Sequence, residues 1–370
     1  MPFHHMALRP NGKIYPCCVY QEVDEHRLPD DLTTAHPDPF NHPYMTELRE
    51  RMLRDEYIPN CQKCYNDERI YGSSMRKDVY HAGAGFGLPE DETLGVVPVL
   101  TNIDMTFSNV CNNRCRMCQP SLSTRWYNDA RKLGFEIPSG VVARNSIIED
   151  SDLSTLRYVK ILGGEPLMEQ ESLKRFLSKC TRSQLGVLFV TNCTLLPDDE
   201  TFALLKECDV TVNLSIDAYG PLNDFLRKDS VWDTVNRNLH WYHNNFDKVS
   251  VHSVCNIYSV NKIHELIEHV NSVDENIFHD VVLIGGPPYM QPRHLPEHVK
   301  EYLQNYASRS IVQYPRNEKI FKLIQHELKQ QGNFKEFVMH DKQLNTIRNE
   351  HWQDKNPELW NLIKEEYEYE

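Results

Sequence analysis

The run "TNIDMTF" at residues 101–107, continued at 108–118 by "SNVCNNRCRMC", leads from a strand-like segment straight into a loop with three closely spaced cysteines. The same grammar returns along the chain. "RYVKIL" (157–162), "GVLFVT" (186–191), "VTVNLSI" (210–216), "VSVHSVC" (249–255) and "DVVLI" (280–284) are strand-like, with polar or glycine-containing loops and helix-like stretches between them. Apolar residues at i, i+3, i+4 and i+7 mark two of the helices, Leu173, Phe176, Leu177 and Cys180 in one and Ile263, Leu266, Ile267 and Val270 in the other. Strands alternating with helices imply right-handed crossovers and a parallel sheet. Six such units are too few for a closed eight-stranded barrel. The expected fold class is therefore α/β, an incomplete (β/α)6 TIM-like barrel, with an open doubly wound sheet as the alternative.

In either architecture ligands bind where the strands end, and the unusual residues fall there. The cysteine loop follows the first strand, "GGEP" (163–166) the second, "NCT" (192–194) the third, "DA" (217–218) the fourth and "GGPP" (285–288) the sixth. Loops on one rim converge, so these features are expected to build one site. In the fourth strand Val210, Val212, Leu214 and Ile216 share one face, while Thr211, Asn213, Ser215 and Asp217 share the other. A polar face on a strand buried on both sides needs partners, and a ligand inside the barrel would supply them.

Around this core, 101–286, the sequence divides into a cysteine-containing block at 1–77, a linker at 78–100 and a helical extension at 287–370. The linker contains "HAGAGFGLPEDETLG" (81–95), which has glycine, proline and acid but no periodicity. The extension reads as several helices with a structural role, "EHVKEYLQNY", "IFKLIQHELKQQ" and "PELWNLIKEEY" among them. With 370 residues, 40% of them hydrophobic, the chain can bury a core without help from disulfides. A formal net charge of -13 argues against a broad nucleic-acid or anionic-membrane footprint, and no apolar run is long enough to span a bilayer. The N-terminus "MPFHHMALRP" has no signal-peptide pattern, so a cytoplasmic location is expected. In such a reducing compartment, clustered thiols more often bind metal or do redox chemistry than form bridges.

Cys111, Cys115 and Cys118 stand at C-x3-C-x2-C spacing. Structural zinc closes a tetrahedron with four ligands, and no fourth Cys or His lies nearby in sequence. Three thiolates on a four-iron cluster instead leave one iron open, which is useful only if something else binds there. In the N-terminal block, "MALRPNGKIYPCCVY" (6–20) reads as a hairpin about an Asn-Gly turn, with Cys17 and Cys18 after its second strand. A helix over the following residues would bring Cys61 and Cys64 back towards it. By spacing alone these four thiols favour zinc, with a second iron-sulfur cluster as the alternative. His4 and His5 read as ordinary strand residues, and Cys180 and Cys208 as core residues, while the side to which Cys255 points is left open.

The C-x3-C-x2-C loop, "LGGEPL" (162–167) and "LSIDA" (214–218), each at a strand end, resemble the radical S-adenosylmethionine enzymes over 101–286. The resemblance implies a [4Fe-4S] cluster on Cys111, Cys115 and Cys118 whose open iron is chelated by S-adenosylmethionine. Reductive cleavage then yields a 5'-deoxyadenosyl radical that abstracts hydrogen from a substrate. It further implies that Gly163, Gly164 and Glu165 receive the methionine amino group, that Ser215 and Asp217 face the ribose, and that Asn192 lies near cofactor or substrate. Met117 stands where relatives commonly have an aromatic residue against the adenine. "TNCT" (191–194) stands where relatives often have "TNGT", and Cys193 reads as a buried inert thiol before a substrate-facing one.

The N-terminal block, through "GKIYPCC", "CQKCY" and "ERIYGSSMR", resembles the twitch domain, a shortened SPASM domain that carries an auxiliary [4Fe-4S] cluster. Its ligands are expected among Cys17, Cys18, Cys61 and Cys64. Relatives often have a further cysteine before the "PFH" segment, which here follows Met1 directly. The implied partners are a flavodoxin- or ferredoxin-type reductant and a peptide or protein substrate. The alternatives are a carbohydrate, nucleoside or cofactor-precursor substrate, or a noncatalytic electron-transfer or zinc-binding protein.

Overall fold

The computed structural model describes residues 2–72, 74–76, 98–137 and 153–370. The expected linker falls mostly on 77–97, outside the described residues. Along the chain run β1 (His5–Leu8), β2 (Ile14–Tyr15), α1 (Pro43–Leu53), α2 (Gln62–Tyr71), β3 (Asn102–Thr106), α3 (Tyr127–Leu133), β4 (Tyr158–Leu162), α4 (Gln170–Lys179), β5 (Gly186–Thr191) and α5 (Asp199–Lys206). There follow β6 (Asp209–Ser215), α6 (Pro221–Leu226), α7 (Trp232–Asn245), β7 (Lys248–Cys255), α8 (Ile263–Val273) and β8 (Phe278–Leu283). The chain closes with α9 (Glu297–Gln313), α10 (Glu318–Glu327), α11 (Phe334–Arg348) and α12 (Pro357–Tyr369). All six strands expected after residue 101 form, in the order β3 to β8, with helices between them, as an incomplete (β/α)6 barrel requires.

The residues fall into two compact units. One holds Met1–Cys111, Pro138–Val190 and Leu196–Val212, the other Asn112–Ile137, Thr191–Leu195 and Asn213–Glu370. Strand β6 passes from the first into the second, and the strand order is β2-β1-β3-β4-β5-β6-β7-β8. The pairings of β3 with β4, β4 with β5 and β7 with β8 are parallel.

In the first unit the expected hairpin is present, with Ala7 opposite Tyr15 and Leu8 opposite Ile14. Gly12 takes φ 79° in its turn, a conformation a side chain would strain. The sequence does not announce that β1 also pairs in parallel with β3, His5 opposite Asn102 and Ala7 opposite Asp104. The N-terminal block thus adds a strand to the sheet instead of standing apart. His5 Nε2 lies 3.4 Å from Asp104 Oδ1 across this pairing. The α4 stripe is buried through Leu173, Phe176 and Leu177, each such side chain contributing about 1.5–3 kcal/mol. Asp198 caps α5 by accepting from the Thr201 amide at 2.7 Å.

In the second unit α8 buries Ile263, Leu266, Ile267 and Val270 as its periodicity predicts. Across β7 and β8, Ser253 Oγ lies 2.8 Å from His279 Nε2 and also bonds the Ile216 carbonyl. The neutral ring that donates from Nε2 satisfies this chain, with its Nδ1 buried and without a hydrogen-bond partner. Burial lowers the His279 pKa to about 4, Asp280 working against the shift and His252 with it. Because the folded pKa lies below the unfolded one, stability from this group is complete above about pH 6.5 and is lost as pH falls towards 4, by about 3 kcal/mol. Urea unfolding between pH 7 and pH 4 should therefore be flatter in His279→Gln than in the native chain. Equal slopes in the two would place the pH sensitivity elsewhere. Among the described residues no helix is long and apolar enough to cross a membrane.

Candidate functional site

None of the eleven cysteines forms a disulfide. Cys111 is buried, and Cys115 and Cys118 are partly exposed. The loop containing Cys111 is reached by the glycine pair after β4. Gly164 N–H donates to Ser108 O at 3.0 Å and Glu165 N–H to Val110 O at 2.8 Å. A Cβ on Gly164 would lie 2.1 Å from Val110 O, so only glycine lets the two backbones meet. Gly163 has φ 133°, a second reason for glycine. Glu165 is 1% exposed, and its Oε1 accepts from the Leu167 amide at 3.1 Å. The conspicuous glycines are therefore explained first by this close approach to residues 108–110.

Within the second unit, Cys115 and Cys118 lie on a loop held from several directions. Cys118 N–H donates to Cys115 O at 3.0 Å, and Trp126 Nε1 donates to the same carbonyl at 2.8 Å. Asn192 Nδ2 donates to Asn112 Oδ1 at 2.8 Å, and Asn112 Nδ2 donates to Thr194 Oγ1 at 2.7 Å. The "NCT" loop is thus clasped to the residue after Cys111. Cys193 between them has φ 63° and is fully buried, its thiol 3.4 Å from Val235 O, which fits the inert reading. A positive φ is one that glycine adopts most readily. Met117 is half-buried on the same loop. Cys180 and Cys255 are buried and Cys208 partly so, with burial pushing the first two up to about 12 and the third to about 11.

Strand β6 alternates as expected, Val210, Val212 and Leu214 buried and Thr211, Asn213 and Ser215 less so. Asp217 departs from its expected place on the polar face. It is fully buried, Oδ1 accepting from the Val254 amide at 2.8 Å and Oδ2 lying 2.7 Å from Arg227 Nε. That ion pair is close in distance although the Nε–H is not aimed along the contact. The strand ends at Ser215, so its two-residue alternation does not carry through to Asp217.

Two arginines that sequence reasoning passed over bear on the cysteine loop, Arg116 from within it and Arg227 from beside it. Arg227 Nη1 lies 4.0 Å from Cys115 Sγ. Arg116, 1% exposed, donates from Nη2 to Asp341 at 2.8 Å and Asn345 at 2.5 Å and from Nη1 to Glu350 at 3.2 Å. Its guanidinium lies 4.1 Å from the Phe225 ring centre. Arg348, also on α11, bonds Asp129 at 2.8 Å and covers the Trp126 ring at 4.7 Å. Through these contacts α11 and the residues just after it hold the cysteine loop from the C-terminal side.

In the first unit Cys17, Cys61 and Cys64 line one cavity of about 550 Å³ together with Tyr20, Tyr57 and Arg76. Arg76 grips Glu68 through two bonds of 2.5 and 2.7 Å and lies 4.8 Å over the Tyr65 ring. Burial pushes the Cys17 and Cys61 thiols up to about 11, and the neighbouring thiols add to the shift. Cys18 is not part of this lining: its thiol donates to Met75 Sδ at 3.2 Å, and its carbonyl accepts from Arg9. Among the described residues no three His, Cys, Asp or Glu side chains converge tightly enough to hold a single metal ion. A four-iron cluster sets a different requirement, since each thiolate binds its own iron. The three unbridged thiols around this cavity are a donor set of the kind such a group requires.

A family model described as the Radical SAM superfamily matches residues 105–272, and one described as an iron-sulfur cluster-binding domain, SPASM, matches residues 1–65. No curated protein matches the sequence. Among solved structures, native anSMEcpe with bound AdoMet is similar at 16% identity and TM-score 0.41, over 56% of this chain and 59% of that one. Streptococcus suis SuiB is similar at 16% identity and TM-score 0.40, over 83% and 68%. SuiB bound to precursor peptide SuiA gives 14% and 0.37, over 78% and 64%. The chain thus spans about three-fifths of the length of anSMEcpe.

Proposed function

We propose that this chain, in which residues 105–272 match the Radical SAM superfamily model and residues 1–65 the SPASM iron-sulfur cluster-binding model, reductively cleaves S-adenosylmethionine and abstracts hydrogen from a peptide or protein substrate. Its cofactors are iron-sulfur clusters and S-adenosylmethionine. When bound on Cys111, Cys115 and Cys118, a reduced cluster would supply the electron for the reductive cleavage of S-adenosylmethionine. Cys111, Cys115 and Cys118 hold that cluster, and the observation that carries the reading is the packing of "GGEP" against the backbone leading into Cys111.

The chain's own residues have definable tasks. Gly163 and Gly164 bring the backbone before Glu165 to the cysteine loop, and the Asn112–Asn192–Thr194 clasp holds the loop from the side of β5. Met117 and Ser215 remain the proposed adenine and ribose contacts. Asp217 is left out of that set because its carboxylate is engaged within the protein. A flavodoxin- or ferredoxin-type protein is the proposed reductant. A cytoplasmic location is part of the same proposal.

For the auxiliary cluster, Cys17, Cys61 and Cys64 are the proposed ligands and Cys18 is not one. Iron analysis of anaerobically reconstituted protein should show Cys18→Ala retaining the native iron content and Cys17→Ala losing up to about four irons. Loss of iron in Cys18→Ala, with Cys17→Ala unchanged, would reverse the assignment.

The function itself is tested by reconstituting the chain with iron and sulfide, reducing it, and measuring 5'-deoxyadenosine formed from S-adenosylmethionine. Mass spectrometry of co-purified or supplied peptides reports the substrate class. A modified sugar, nucleoside or cofactor precursor instead of a peptide would overturn the peptide assignment. Iron-loaded protein that forms no 5'-deoxyadenosine would overturn the catalytic one.

A further inference from the structure

Cys115 and Arg227 are laid side by side by backbone, not by chance rotamers. Arg114 N–H donates to Lys228 O at 3.0 Å and Arg116 N–H to Leu226 O at 2.7 Å, so the residue between each pair, Cys115 on one segment and Arg227 on the other, faces its counterpart. The segment bearing Arg227 is anchored in turn. Arg227 N–H donates to Asn223 O at 2.7 Å, and Asn223 Oδ1 accepts from the Asp217 amide at 3.1 Å. Asp217 is pinned to β7 through the Val254 amide, and its second oxygen lies 2.7 Å from Arg227 Nε. The side chains are 11% and 0% exposed, so this pair sits where water screens little.

We propose that Arg227 is the fixed positive charge that sets the reduction potential of the cluster held by Cys115, and that Asp217 positions Arg227 and offsets part of its charge. The inference rests on the reading that Cys115 ligates a cluster. Adding an electron to a cluster raises its negative charge, and a cation 4.0 Å from a ligating sulfur makes that addition easier. The buried carboxylate behind the guanidinium weakens the effect. The two residues therefore act with opposite sign. This separates electrostatic tuning from simple support of the loop, which would move both variants the same way.

The test is an EPR-monitored redox titration of reconstituted protein, with iron content and melting temperature measured alongside. Cys17→Ala serves as background, to isolate the catalytic cluster. Arg227→Gln is expected to lower the reduced-to-oxidised ratio at fixed potential by about tenfold, a shift of about 59 mV to lower potential for one electron. Asp217→Asn is expected to shift it upward, and Arg227→Lys, which keeps the charge, to stay near the native value. The double variant, which removes both charges, should fall between the singles. If Arg227→Gln fails to hold a cluster, the upward shift in Asp217→Asn still decides the matter. Parallel shifts in the two singles, or none with the cluster intact, would overturn the inference. Failure of the Cys17→Ala background protein to show any cluster signal, with Cys111→Ala added making no difference to its iron, would instead overturn the reading of Cys115 as a ligand.

Discussion

Replacing Cys111, Cys115 and Cys118 together by alanine is expected to abolish 5'-deoxyadenosine formation and to remove about four irons per chain, while the iron held by the N-terminal domain remains. The effect should be all-or-none because no other residue type in the loop can hold iron as a thiolate does. Quantifying product and iron in the same preparation checks both halves. A variant with native iron content would show that the three cysteines are not ligands. A variant that lost its iron but still formed product would sever the cluster from the chemistry. The fold should tolerate the change, since Cys115 and Cys118 are partly exposed and the loop is held by its neighbours.

Arg116→Met is expected to cost about 3–5 kcal/mol of stability, the usual consequence of removing one partner from a buried ion network. Arg116 stands between Cys115 and Met117, yet its side chain is spent on Asp341, Asn345 and Glu350. Without it Asp341 keeps its bonds from Tyr258, Trp352 and Tyr367 but loses its cation, and Glu350 retains Lys228 at 2.9 Å. Lysine should recover little, because a point charge cannot fork to three acceptors. Urea denaturation midpoints of the native chain, Arg116→Met and Arg116→Lys provide the check. A loss below about 1 kcal/mol in the methionine variant would mean that the network is replaceable by apolar packing.

What could be read from the sequence follows the range of the underlying physics. Strands β3 to β8 and the stripes of α4 and α8 were legible because side-chain alternation and 3.6-residue periodicity are local properties of the backbone. The Asn-Gly hairpin was legible for the same reason. Parallel pairing of β1 with β3 was not, since it joins segments almost a hundred residues apart and leaves no local mark. Asp217 shows where a local rule stops. The alternation that places Ser215 correctly ends with the strand, and two residues later the carboxylate is buried against Arg227.

The sequence alone determined the cysteine spacing, the glycines that must lie close to backbone and the order of strands and helices, because each depends on neighbours a few residues apart. Only the tertiary structure decided which thiols share a cavity, leaving Cys18 outside it, and which charges stand at the cysteine loop. Arg227 lies 112 positions from Cys115, and Asp341 lies 225 from Arg116. A charge has no periodicity, so its partner is set by where the fold brings the chain back and by the cost of leaving it buried alone.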